Sequence, residues 1–357
     1  MTHLKAWQEQ LAPEETAVIF STVSRRYLTG FTSSDGVLVT TREEALLYLD
    51  SRYYEMAQIA QSRGRIPENV ILRPFIFPKE FEERIKDGLV SKVLFEDKRL
   101  TVSELRKLER NFADAEFLPI GERLDRLRMV KDRDEIRAIA GAQALAEEAL
   151  AHLLPLLSPD RTETWVAAEL ERYMKLHGAE KPSFETICIS GTRTSLPHGR
   201  PENIKLTDGG FLTMDFGCVL DGYCSDMTRT VCIGRATEEM KTVYNTVLRA
   251  QLAGVAAAKA GVSGKDVDKA SRDVITEAGY GEYFGHSTGH GCGLQVHEAP
   301  YFAPKADNLI PAGAVLSVEP GIYLPGRFGV RIEDLIAVTE NGCENLNRSS
   351  KELVEIV

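Results

Sequence analysis

Over the first third of the chain, short apolar runs of strand length, "AVIF", "GVLVT" and "ALLYLD", alternate with segments whose apolar residues recur at helical spacing. A helix-like stretch begins at Arg52, and "VILRPF" and "KVLFED" read as further strands. A capping box from Thr101 to Glu104 opens a helix before "AEFLPI". This alternation predicts a self-contained α/β domain. The pattern then changes. "RLRMVKDRDEIRAIAGAQALAEEALAHLLPLL" reads as one long helix with Ile136, Ile139 and Ala140 at helical spacing, which sets a boundary within residues 122–132. Beyond it, "TETWVAAELERYMKLHG", stopped by Gly178, "EEMKTVYNTVLRAQLAGVAAAKAG" and "GKDVDKASRDVITEAG" predict three more helices, with strand-like runs between and after them. No repeat period or low-complexity stretch is present, which sets solenoids and disordered tails aside.

Within "GGFLTMDFGCVLDGYCSDMTRTVCIG", Asp221-Gly222 is a strong hairpin signal. If that dipeptide is the turn, Leu220 pairs with Tyr223, Gly217 faces Asp226, and Asp215 faces Thr228. Asp215 and Asp226 are then diagonal neighbours on one face, with Cβ atoms up to ~7 Å apart. Phe211, Thr213 and Val219 are expected on the same face, so it is not purely solvent-facing, and two like charges there need a counter-charge. A divalent cation would supply it. "SVEPGIY" puts Glu319 at the end of an apolar run, and "GVRIEDLIAV" puts Glu333 inside a strand, sharing a face with Arg331. Buried glutamates are rare unless paired or metal-bound, and an ion pair with Arg331 is the rival explanation for Glu333.

"FGHSTGHGCGLQVHE" spaces His286 and His290 like a helical zinc site, but its glycines oppose a helix and Ser287 stands where the catalytic glutamate would be. A glycine-rich loop does let imidazoles approach a site closely. His198, His286, His290 and His297 all lie in segments flanked by glycine or proline, near the carboxylates in sequence. Two aspartates, two glutamates and a histidine suit a dinuclear, thiolate-free centre for Mn²⁺, Co²⁺, Fe²⁺ or Zn²⁺. Two metals ~3.5 to 4 Å apart can share a water, lower its pKa and polarise a carbonyl for attack, which is the chemistry of amide hydrolysis.

Composition narrows the field. A chain of 357 residues exceeds what one core usually serves, so two domains are expected. No apolar run approaches the ~18 residues of a membrane span, and the polar start "MTHLKAWQEQLAPEE" lacks a signal-peptide core, so a cytoplasmic location with no membrane partner is expected. The net charge of -10, without a basic block, argues against nucleic acid. Six cysteines, all in the second half and without CxxC spacing, read as reduced thiols.

In order and spacing, "LPHG", "MDFG", "GYCSDMTRT", "GHSTGHGCGLQVH", "SVEPGIY" and "VRIED" resemble the pita-bread metallopeptidases, the group of Xaa-Pro aminopeptidase and Xaa-Pro dipeptidase (prolidase). The first domain, with "YLTGFTSSDGVLV" and "LLYLDSRYYEMAQ", is similar to the creatinase-type N-terminal domain of that group. The resemblance implies an α/β (α+β) chain in two domains. Residues 1–126 would form the creatinase-type domain, and 127–357 a pita-bread catalytic domain with a curved, mainly antiparallel sheet covered by helices. It implies Asp215, Asp226, His290, Glu319 and Glu333 as ligands of two divalent ions, Mn²⁺ foremost, with Co²⁺, Zn²⁺ or Fe²⁺ compatible. His198, His297 and Glu319 would act in catalysis, and His198, His286, His297 and Arg331 would meet substrate. The implied activity is hydrolysis of the N-terminal Xaa-Pro bond of short peptides, by a homodimer whose N-terminal domain restricts access. An Xaa-Pro bond lacks the N–H by which many peptidases align substrate. The alternatives are a binding module on the same scaffold and a hydrolase of a non-peptide amide; methionine aminopeptidase lacks the first domain, and creatinase replaces the ligands.

Overall fold

A computed structural model describes residues 2–75 and 77–357, which form two compact units, one up to Arg128 and one over Met129–Val357. In the first, β1 (Glu15–Ile19), β2 (Val37–Thr40), β3 (Ala45–Leu49), β4 (Val70–Pro74), β5 (Lys92–Phe95) and β6 (Glu116–Pro119) make one sheet in the order β4-β3-β2-β1-β5-β6. The β1–β2 and β2–β3 pairings are antiparallel and the other three parallel, as alternating strands and helices require. Val18, Val39, Tyr48, Phe81 and Phe112 fill the core on one face of this sheet.

The second unit contains the small sheet of β7 (Lys181–Pro182), β10 (Cys218–Leu220) and β11 (Tyr223–Cys224) and a larger one with β8 (Ile187–Ser190), β9 (Gly210–Phe216), β12 (Met227–Ile233) and β20 (Glu355–Ile356). A third sheet runs β14-β13-β15-β18-β19, from β13 (Gly289–Gly291), β14 (Glu298–Phe302), β15 (Val315–Val318), β18 (Asp334–Thr339) and β19 (Gly342–Asn345). β16 (Gly321–Leu324) and β17 (Phe328–Arg331) form a hairpin of their own. Pairing in this unit is antiparallel except between β12 and β20. Helices Arg133–Leu153 and Glu163–Leu176 cover Leu212, Met214 and Phe216 of β9, and helix Glu238–Ala257 packs near Phe211 on its other face. Among the described residues no helix is long and apolar enough to cross a membrane.

Three expectations change. The run read as one long helix is two, Arg123–Met129 and Arg133–Leu153, because Asp132 accepts from the amides of Asp134 and Glu135 while the Glu135 carboxylate accepts from Asp132 N–H. Val219 leaves the face of Phe211 and Thr213, because the strand breaks at Gly217, where a Cβ would lie 2.0 Å from the Ser225 carbonyl oxygen. Glu333 sits at the joint between β17 and β18, which belong to different sheets, and its N–H donates to Thr228 O. The hairpin register holds: Leu220 pairs with Tyr223 and Asp215 with Thr228, around a turn with Asp221 at φ 46° and Gly222 at φ 74°. The six cysteines are free thiols, five of them buried.

Candidate metal centre

Strand alternation on β9 sends Leu212, Met214 and Phe216 into the helical core and leaves Asp215 facing the other way. Asp226 precedes β12, His290 lies in β13, Glu319 follows β15, and Glu333 occupies the β17–β18 joint. All five converge on a cavity of about 450 Å³ also lined by His198, His286, His297 and Arg331, so every residue singled out from the sequence reaches one place.

The carboxylates there are buried and crowded. Burial, then the charges of Glu333, Asp215 and Glu319, pushes the Asp226 carboxyl well above its usual range. Burial and the charges of Glu319 and Asp215 do the same to Glu333. Asp215 rises through burial, which outweighs the Arg331 guanidinium bonded to it at 2.7 Å. Glu319 goes the other way: burial would raise it, but the His290 bond and charge bring it down to about 2. Atoms of Asp226, His290 and Glu333 lie within 4.8 Å of one another, and His290 Nε2 is 3.2 Å from Glu319. Among the described residues Asp215 Oδ1 and Glu333 Oε1 are buried without a hydrogen-bond partner, in a place where a polar atom without one costs roughly 1–3 kcal/mol. His290 donates through Nδ1 to the Gly291 carbonyl at 3.2 Å, which turns Nε2 to the carboxylates, where it holds a proton against Glu319 or, once that proton is lost, a lone pair for a cation. Orphaned oxygens, like charges and an imidazole of fixed tautomer fit divalent cations.

Arg331 is the fixed cation of the site. Its guanidinium bonds Asp215, Thr228 Oγ1 at 3.0 Å and Tyr323 Oη at 2.8 Å. Thr228 in turn donates to Glu333 Oε2 at 2.7 Å, so the ion-pair explanation of Glu333 gives way: Arg331 pairs with Asp215 and reaches Glu333 only through Thr228. The His286 Nδ1–H donates to Ser287 O at 2.8 Å, so Nε2 accepts from the Tyr323 hydroxyl at 2.9 Å. His297 packs edge-on against His290 with ring centroids 4.1 Å apart, and burial and that neighbour lower its pKa. His198 is exposed on a loop whose base is tied by the fully buried Glu163, which accepts from Ser190 N, Arg193 Nε and Glu202 N. Thr228 and Tyr323 were not singled out from the sequence. Thr228 could have been, because it stands two residues from Asp226 with its register already assigned; nothing in the pattern points to Tyr323, whose place depends on the β16–β17 hairpin.

Two family models match the chain: metallopeptidase family M24 over residues 137–340 and the creatinase/prolidase N-terminal domain over residues 8–130. A peptidase of Bacillus subtilis is 39% identical over 337 residues, 94% of each chain. A Pyrococcus horikoshii protein named Xaa-Pro dipeptidase is 36% identical over 319 residues, covering 89% of this chain and 88% of its own. Among solved structures, an Xaa-Pro dipeptidase from Bacillus anthracis superposes with TM-score 0.92 at 38% identity, covering 99% of this chain and 98% of its own. An X-Pro aminopeptidase from Thermotoga maritima follows with TM-score 0.88 at 35% identity, covering 98% and 96%.

Proposed function

Because the chain belongs to metallopeptidase family M24 and carries a creatinase-type N-terminal domain, we propose that it is a dinuclear-metal exopeptidase hydrolysing the N-terminal Xaa-Pro bond of short peptides. Five ligand-type groups around one cavity, with two of their buried oxygens left unbonded, carry this reading; relatives named Xaa-Pro dipeptidase and X-Pro aminopeptidase support the substrate class. Asp215, Asp226, His290, Glu319 and Glu333 would hold the ions, Mn²⁺ foremost, with 1–126 as the N-terminal domain and 127–357 as the catalytic one. When bound, two dications polarise the scissile carbonyl and acidify a water.

The chain's own groups do the rest. Arg331 fixes the Asp215 carboxylate, and Thr228 holds Glu333 by one oxygen while the other stays free. The prolyl nitrogen must gain a proton to leave, and the imidazoles of His198 and His297 in the cavity wall are the groups placed to pass one. A cytoplasmic homodimer completes the reading, and the free thiols agree with a reducing compartment.

The test is hydrolysis by metal-stripped enzyme, with and without Mn²⁺, of an Xaa-Pro dipeptide, an Xaa-Pro-Yaa tripeptide and an Xaa-Ala control, beside Asp226→Asn. Mn²⁺-dependent cleavage of a proline substrate, lost in the variant, is expected, and the dipeptide-to-tripeptide ratio separates dipeptidase from aminopeptidase. Bound metal with no proline peptide cut would turn the assignment toward a non-peptide amide, and absence of metal binding toward a binding module.

A further inference from the structure

We infer that Asp268 and Arg272, one turn apart on helix Gly264–Glu277, are positioning residues for His286. They grip the backbone of the glycine-flanked segment that carries it. Arg272 meets the Asp268 carboxylate with two bonds, Nε to Oδ2 at 2.8 Å and Nη2 to Oδ1 at 2.9 Å. Its remaining donors turn to the loop, Nη1 to Phe284 O at 2.9 Å and Nη2 to His286 O at 2.8 Å. Asp268 Oδ1 also accepts from the Thr288 N–H at 3.1 Å and from its hydroxyl at 2.9 Å. The guanidinium lies 4.2 Å from the Phe284 ring centre. One ion pair therefore holds three alternate residues of "FGHST" from behind, without lining the cavity.

An ion pair with a carboxylate only 1% exposed is an expensive way to pack a helix, since apolar residues of similar volume would serve as well or better. What apolar residues cannot do is bond the carbonyls and the amide of a loop. Gly285 and Gly289 flank that loop and have more backbone freedom to lose than other residues. Fixing the backbone at His286 fixes the ring, whose Nδ1–H reaches the next carbonyl and whose Nε2 then meets the Tyr323 hydroxyl and, through it, Arg331 and Asp215. The same grip reaches one of the predicted metal ligands, because Thr288 O accepts the Glu319 N–H at 2.8 Å.

The catalytic consequence rests on the peptidase reading, whereas the geometric one does not, and the test separates them. In the full-length, metal-free protein with ¹⁵N-labelled histidine, the wild type should show His286 as a single Nδ1–H tautomer. Arg272→Met should show averaging at that ring, with His290 unchanged. In the Mn²⁺-loaded enzyme acting on an Xaa-Pro peptide, Arg272→Met should lower kcat on the order of 10²-fold with KM within about 3-fold, the cost of a displaced group far from the chemistry. Arg272→Lys and Asp268→Asn should fall between, and they replace Arg272→Met in every comparison if it does not fold. In a His286→Ala background the Arg272 replacement should cost less than about 3-fold, because both changes act through one group. Costs that multiply independently, or a His286 spectrum unaltered in Arg272→Met, would overturn the assignment. A wild type that cuts no proline peptide would refute the peptidase reading and leave the tautomer spectra to decide this one.

Discussion

A methyl group at Gly321 would lie 2.5 Å from the Tyr323 hydroxyl, the atom that joins His286 to Arg331. Gly321→Ala is therefore expected to push Tyr323 off both partners and to lower kcat about as far as Tyr323→Phe does, on the order of tenfold or more; steady-state kinetics of the two single variants and the double variant check this. The carboxylates offer a second test. Asp226 is buried among like charges, so in metal-free protein Asp226→Asn should raise stability by roughly 1–2 kcal/mol while abolishing activity, a trade typical of strained active sites. Thermal scans in chelator would read this, and a lower midpoint in the variant would count against mutual repulsion. Asp215, Asp226, Glu319 and Glu333 were legible in the sequence because charged residues in apolar strand patterns are conspicuous. Tyr323 was not, because an aromatic residue in a strand usually signals only core.

At the level of elements, the joint that presents Glu333 is held by a buried ion pair between β12 and β18. Arg229 donates to Asp334 Oδ1 at 2.8 Å and to the Thr228 and Glu333 carbonyls. Burial would raise the Asp334 pKa, but the charges of Arg229 and Lys351 outweigh it and hold the carboxyl low. Arg229→Met should cost about 3–5 kcal/mol, the usual price of leaving one partner of a buried pair, and should also weaken Mn²⁺ binding. Denaturant unfolding and calorimetric titration report the two effects separately. The hairpin at Asp221-Gly222 was legible to the residue, since a two-residue turn with positive φ fixes register by itself. The break at Gly217 and the change of sheet at Glu333 were not legible, because both follow from packing between strands distant in sequence: Ser225 O against Gly217, and Thr228 O bonded to Glu333 N. The helix break before Arg133 could have been seen, because Asp132 and Glu135 have capping-box spacing.

For the whole molecule, change of pattern along the chain and chain length were enough to expect two units, whereas the convergence of nine residues on one cavity needed the tertiary fold. Ions bound only by the folded centre must stabilise it. Mn²⁺ at about 100 times its Kd should add roughly 2.7 kcal/mol, seen as a raised unfolding midpoint that chelator reverses and Asp226→Asn lacks. The cysteines have a further consequence. Every thiol lies in the second unit; burial raises the pKa of each, and Cys188, Cys218, Cys232 and Cys292 have no measurable exposure. A thiol-reactive dye should therefore find Cys343 first and the others only when their surroundings open. The molecule thus carries its own clock for the breathing of the metal-binding unit, and saturating Mn²⁺ should slow it most at Cys224 and Cys292, the thiols nearest in sequence to Asp226 and His290.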